Sequence, residues 1–138
     1  PRVTALGLAL ARVCVLAAVM EKKGRSNLFD RDIFSSVTCG ARIGGPAADL
    51  ALVAAMAGSW ADRPAPESTV FVGEVGLAGE VRTVTQLEAR LREARKMGFS
   101  QAIVQPLESK KVKVEGLELL SVKSVSQMMR EHLGFKAA

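Results

Sequence analysis

The chain has no tyrosine, one tryptophan, five phenylalanines, one histidine and two cysteines in 138 residues. Each scarcity closes a route. The few phenylalanines lie mostly in apolar runs, so a base-stacking platform for single strands or RNA has little to build on. With His132 the sole histidine and no serine in a G-x-S-x-G setting, a Ser-His-Asp triad lacks its parts. His132 is expected on an exposed or partly exposed side of the last helix, where a cation near the C-terminus is mildly favourable. Cys14 and Cys39 form no C-x-x-C pair and sit in apolar runs, which predicts two buried free thiols, no zinc and a reducing compartment. No G-x-x-x-x-G-K-S/T run occurs, so nucleotide hydrolysis is not encoded in this chain.

No apolar stretch runs unbroken for the length of a bilayer. Residues 3–20 come nearest, but Arg12 interrupts them. A charge at a bilayer centre costs about 3 kcal/mol, and no small-residue cleavage site follows, so the segment reads as a buried helix and not as a membrane span or signal peptide.

What is present suits a single domain spanning 1–138. About half the residues are apolar and a quarter charged, which excludes disordered, collagen-like and coiled-coil classes. A chain of this length buries roughly two-thirds of its unfolded surface, enough for an independent core. The start at Pro1, without an initiator methionine, suggests a fragment of a longer protein.

Periodicity predicts a helix from Thr4 to Lys23, with Leu8, Ala11, Val15, Ala18 and Val19 near helical spacing and Gly24 placed to end it. A β-branched, aromatic strand follows over Ile33–Cys39. Glycines 40, 44 and 45 mark a turn, and Pro46 opens a helix over Ala47–Trp60 that is apolar nearly all round. A proline-bearing loop covers Ala61–Ser68. Val70–Val75 and Gly79–Val84 read as strands joined in a hairpin through Gly76-Leu77-Ala78-Gly79. Thr85–Met97 is an amphipathic helix with Leu87, Leu91 and Ala94 inward. Ala102–Gln105 and Leu117–Val122 are strands, and Ser124–Leu133 is the closing helix. The whole predicts an α/β (α+β) fold, an open mixed sheet covered by helices.

Glycines 73, 76 and 79 invite a phosphate-loop reading, but they fall between strands and stand among Glu74 and Glu80, which have the wrong charge. The glutamates are expected to pin a solvated turn. Thr85-Gln86-Leu87-Glu88 and Ser124-Val125-Ser126-Gln127 both match a capping box, each worth about 1 kcal/mol.

Two stretches carry a family resemblance. Gly45-Pro46-Ala47-Ala48-Asp49 leads into one helix, and Gly73-Glu74-Val75-Gly76-Leu77-Ala78-Gly79-Glu80-Val81-Arg82 leads into another. Together they resemble the proteolytic domain of the Lon family, where the position of Ala47 holds the nucleophilic serine and that of Glu88 the lysine that activates it. A methyl group has no oxygen to deliver, and a carboxylate cannot act as a desolvated amine. The sequence is more similar to the Lon-like C-terminal domain of the bacterial RadA (Sms) recombination family. Members share the GEVGLAGEVR run, the ADLA step and a GF-x-x-AIV-like strand, and the likeness covers essentially the whole chain. One departure is Arg42-Ile43-Gly44-Gly45-Pro46, where that family commonly has an acidic residue before the ADLA step.

The resemblance implies the ribosomal protein S5 domain 2-like, Lon proteolytic-domain-like fold. It also implies a non-catalytic DNA-binding and oligomerisation scaffold of an ATPase acting in recombination, repair and branch migration. A homo-hexameric ring is expected, with recombinase machinery as a further partner and no membrane partner, in the bacterial cytoplasm or an organelle of bacterial descent. No cofactor is expected in this domain; ATP, magnesium and zinc belong to upstream domains outside the chain.

Charge points the same way independently. The net charge is +5 and the pI about 9.6, which favours polyanions. Arg82, Arg90, Arg92, Arg95 and Lys96 cluster along the hairpin exit and its helix, followed by Lys110, Lys111, Lys113 and Lys123. Such a surface suits salt-sensitive contact with duplex phosphates. Glu88, Glu93, Glu108, Glu115 and Glu118 interleave with the cations, so the alternative is an ordinary solvated face. Two other functions stand beside DNA binding: a ring-assembly module without DNA contact, and a Lon-type serine peptidase.

Overall fold

A computed structural model of the chain describes residues 3–6, 10–23, 33–36, 45–107 and 112–136. Two short parallel strands, β1 (Val3–Leu6) and β2 (Ile33–Ser36), flank helix α1 (Leu10–Lys23) in sequence. A single 3₁₀ turn, Pro46–Ala48, opens α2 (Asp49–Ala61). Then come β3 (Thr69–Phe71), β4 (Glu74–Val75), β5 (Val81–Arg82), α3 (Leu87–Lys96), β6 (Gln101–Val104), β7 (Glu118–Ser121) and α4 (Val125–His132). The fold is mixed α/β, as the sequence predicts, with the strands distributed over three small sheets among the described residues.

The organising sheet is β3-β6-β7, all parallel. Side chains alternate across a strand, and here the alternation feeds two cores. Phe71, Ile103 and Leu120 are in register and face one core, built with α1, α2 and α4 from Leu16, Met20, Leu50, Val53, Val125 and Met128. Val70, Ala102 and Leu119 share the opposite register row and face a second core closed by Leu87 and Leu91 of α3 with Val114 and Leu117. Both faces of this sheet are covered, which explains why Ala102, Ile103 and Val104 read as an apolar run without alternation.

Several expectations are corrected. The helix predicted from Thr4 begins instead at Leu10, because Val3–Leu6 pairs with Ile33–Ser36; an apolar β-branched run too short for a helix is ambiguous by period alone. The buried face of α1 is Val13, Leu16, Ala17, Val19 and Met20, so Ala11 and Ala18 of the predicted stripe are exposed. Cys14, on the same outer side, is an exposed free thiol and not a buried one; Cys39 lies outside the described residues, as do the turn glycines 40 and 44. Helix α2 buries one face only, leaving Ala55 and Ser59 exposed.

The predicted strand Val70–Val75 is two strands. β3 belongs to the parallel sheet, whereas β4 crosses at Gly73 to pair antiparallel with β5, Glu74 opposite Arg82 and Val75 opposite Val81. Gly73 is required at the crossing: a Cβ there would lie 2.9 Å from a Val81 methyl and 3.5 Å from Leu50. The closing helix has its predicted start, Ser124 Oγ accepting from Gln127 N–H at 3.0 Å. The Gln127 amide oxygen returns to the Lys123 N–H at 2.7 Å, one residue before the expected box partner.

The other capping box does not form. Helix α3 starts at Leu87, so its N-cap is Gln86, in a left-handed conformation with no side-chain cap. That places Glu88 one position too early for the reciprocal bond, and its carboxylate pairs with Arg92 at 2.7 Å instead. The Thr85 carbonyl accepts from Arg90 Nε at 2.9 Å.

Candidate functional site

Helix α3 has the face its sequence predicts. Leu87, Leu91 and Ala94 are buried, which turns Arg90, Arg92, Arg95 and Lys96 to solvent together. Four cations stand against two carboxylates, Glu88 and Glu93, within the helix. Part of the charge is internally matched. Arg92 pairs with Glu88, Arg90 leans back on Thr85, and the Arg95 guanidinium lies against the backbone of Gly116 in the turn before β7. Lys96 and Lys113 are exposed. Lys110 and Lys111 lie outside the described residues.

Arg82 stands apart from those cations on the hairpin, 3.2 Å from Glu80. The other oxygen of Glu80 accepts from the Ala78 N–H at 3.2 Å, so this glutamate pins a solvated turn as its sequence setting suggests. Its own backbone N–H and Arg82 hold the Glu80 carboxyl below its ordinary value. Gly79 completes the turn at φ +80°, with its missing Cβ position 2.8 Å from Lys23 of α1; any side chain there would be both strained and obstructed. The hairpin also joins the end of the parallel sheet, through Val81 N–H to the Lys123 carbonyl at 2.9 Å and Val125 N–H to the Gly79 carbonyl at 2.8 Å.

The arrangement that sequence reasoning missed lies where α2 meets the hairpin. Asp49, the acidic residue of the ADLA step, is the buried polar residue among the described residues, 3% exposed. Arg12 of α1 reaches it bidentately, Nε to Oδ1 at 3.0 Å and a terminal nitrogen to Oδ2. The carboxylate raises the arginine pKa further, with Glu74 adding to the attraction. The same Asp49 oxygen accepts the Val75 N–H at 3.0 Å, and Arg12 donates to the Val75 carbonyl at 3.2 Å. One signal was available: Arg12 is a charge inside an otherwise apolar helix, which asks for a partner.

Ala47 is half-buried in the 3₁₀ turn, its carbonyl accepting from the Gly73 N–H at 3.0 Å. Glu88 is exposed on α3. The methyl of Ala47 has no nucleophilic atom, and the Glu88 carboxylate is paired with Arg92. His132 is partly exposed at the end of α4, 4.0 Å from Glu131, as expected. No helix among the described residues is long and apolar enough to cross a membrane.

The comparisons with known proteins agree with this geometry. Residues 7–134 match the family model described as the Lon protease (S16) C-terminal proteolytic domain. The chain is 41% identical over 129 residues to the DNA repair protein RadA of Escherichia coli (strain K12), covering 94% of this chain and 28% of that protein. It is 38% identical over 135 residues to the DNA repair protein RadA of Bacillus subtilis (strain 168), 97% of this chain and 30% of the relative. Against the DNA repair protein RadA of Mycobacterium tuberculosis (strain ATCC 25618 / H37Rv) the identity is 42% over 106 residues, 77% of this chain and 22% of the relative. The chain thus spans less than a third of the length of these relatives. It belongs to the Lon protease (S16) C-terminal proteolytic-domain family, as a Lon-like domain of the RadA type.

Proposed function

We propose that this domain is a non-catalytic, DNA-binding and oligomerising scaffold of a RadA-like protein acting in DNA repair and recombination. The observation that carries the reading is the exposed cations of α3, with Arg92, Arg95 and Lys96 neighbours at i, i+3 and i+4 and Arg90 on the other flank of the buried stripe of Leu87, Leu91 and Ala94. Duplex phosphates are their natural counterpart: the contact is electrostatic, independent of sequence and weakened by salt. Arg82 and Lys113 extend the basic surface, and Lys110 and Lys111 belong to it by sequence. The names of the relatives support a repair role for the longer protein, in which a hexameric ring would ride DNA during branch migration. ATP, magnesium and zinc are assigned to parts of that protein outside this chain.

Proteolysis is not assigned to the domain. Ala47 and Glu88 stand where the family's serine and lysine would be, and neither has the chemistry of the residue it replaces. A serine-reactive phosphonate should leave the folded domain unlabelled; a stoichiometric adduct would overturn this.

Ring assembly without DNA contact is the second reading, favoured by Leu77 and Met97, large apolar side chains 77% and 72% exposed. Sedimentation velocity of the domain and of a variant with Arg90, Arg92, Arg95 and Lys96 changed to alanine, each with a short duplex, separates the two. The proposal expects the native domain to co-sediment with DNA and the variant to lose the DNA while keeping the native self-association. A native domain that self-associates but sediments apart from the DNA would leave assembly as the role, and equal co-sedimentation of both would remove the α3 cations as the DNA contact.

A further inference from the structure

The hairpin strand β4 has an outer edge that this chain closes on itself. In an antiparallel ladder, opposed residues alternate between pairs that bond each other and pairs whose main-chain groups point outward. Val75 and Val81 are an outward pair, since the adjoining bond runs from Gly76 N–H to the Glu80 carbonyl at 2.9 Å. Val81 spends its outward N–H on Lys123. Val75 faces the opposite side, where side chains stand in for a strand: Asp49 accepts its N–H and Arg12 donates to its carbonyl. Two residues earlier, Gly73 donates to the Ala47 carbonyl at 3.0 Å and accepts from the Leu50 N–H at 3.1 Å. All four outward groups of Gly73 and Val75 are taken by residues 47–50 and Arg12.

A strand edge with free N–H and C=O groups is a template for an added strand, and extended peptides dock on such edges. We propose that the turn at residues 47–50 and the Arg12–Asp49 ion pair form a built-in plug on the edge of β4, closing it to an extended peptide. The plug is asymmetric. The Asp49 side chain is 4% exposed and Arg12 36%, and a pocket of about 340 Å³, lined by Arg12, Glu74, Val75, Leu77 and Arg82 among others, opens on the arginine side. Displacement by a peptide would begin there, with Arg12 swinging out and the Val75 carbonyl accepting a backbone N–H in its place. This inference concerns the strand edge and is independent of the basic face of α3.

The test pairs the native domain with the double variant Arg12→Ala/Asp49→Ala, which removes both charges together so that neither is left buried alone. The probe is a fluorescein-labelled peptide of alternating valine and threonine, followed by anisotropy, with circular dichroism to confirm folding. The native titration should be flat and that of the folded variant should saturate, through the Val75 groups it frees while Ala47 and Leu50 keep those of Gly73. A folded variant that ignores the peptide, or native binding as tight as the variant's, overturns the plug. Should the variant not fold, hydrogen exchange on the native domain decides. The Val75 and Gly73 amides should then exchange within about tenfold of the Ile103 amide, and exchange as fast as that of Leu77 at the exposed tip would show an open edge.

Discussion

Arg12 is the residue whose meaning changes most between sequence and structure. In the sequence it is an interruption of an apolar run; in the fold it is the partner that makes a buried Asp49 tolerable. Removing one member of a buried pair leaves an uncompensated charge. Because Arg12 is itself about a third exposed, Arg12→Ala should cost about 2 kcal/mol in urea unfolding, below the range for fully buried pairs. Arg12→Lys should recover only part of this, since an ammonium cannot hold both carboxylate oxygens in the planar fork. Gly79→Ala, forced to keep φ +80° with its methyl against Lys23, should lose about 1 kcal/mol or more. Glu80 gives a pH signature. Its folded pKa is depressed, so its support of the turn is complete above the ordinary carboxylate value of 4.5 and is lost as pH falls through the lower folded value. The Ala78 amide, followed by NMR, should titrate with a midpoint below 4.5 and be flat in Glu80→Gln. A midpoint at or above that value would contradict the contact.

Elements show how far the sequence is legible. Helix α3 could be read in full as to which side is buried, because only a 3.6-residue repeat puts Leu87, Leu91 and Ala94 on one side. Leu91, fully buried, should cost about 2–5 kcal/mol as alanine, measured by thermal or urea unfolding. Its start could not be read, since the box Thr85-Gln86-Leu87-Glu88 is satisfied in composition but Gln86 turns left-handed and shifts the cap by one residue. At α4 the same composition did predict the cap, and Ser124→Ala should lose about 1 kcal/mol of stability. The division of Val70–Val75 between two sheets was invisible because it depends on what Gly73 meets across space, α2 on one side and Val81 on the other. Strand β1 was hidden for a related reason: its parallel partner lies about thirty residues on, and neither segment signals the pairing locally. Of the candidate site, the α3 cations were legible as exposed helix positions, whereas the Arg12–Asp49–Val75 junction joins three segments distant in sequence.

At the scale of the molecule, one sheet covered on both faces ties everything to α3 and the hairpin. The first core seats α1, α2 and α4; the second presents α3 with its charged side to solvent. A domain of the Lon family with Ala47 at the position proposed for the nucleophile serves, on the reading proposed above, as a scaffold. On the same reading, its positive charge is the property proposed to recruit DNA. The measurement that tests this most directly is anisotropy of labelled duplex and single-stranded DNA titrated with the domain over a series of salt concentrations, beside the variant with Arg90, Arg92, Arg95 and Lys96 changed to alanine. The account predicts duplex binding whose affinity falls steeply with salt, and a variant whose slope of log affinity against log salt is shallower by roughly one for each phosphate it no longer neutralises. An unchanged slope in the variant, or no binding to the native domain at low salt, would contradict it.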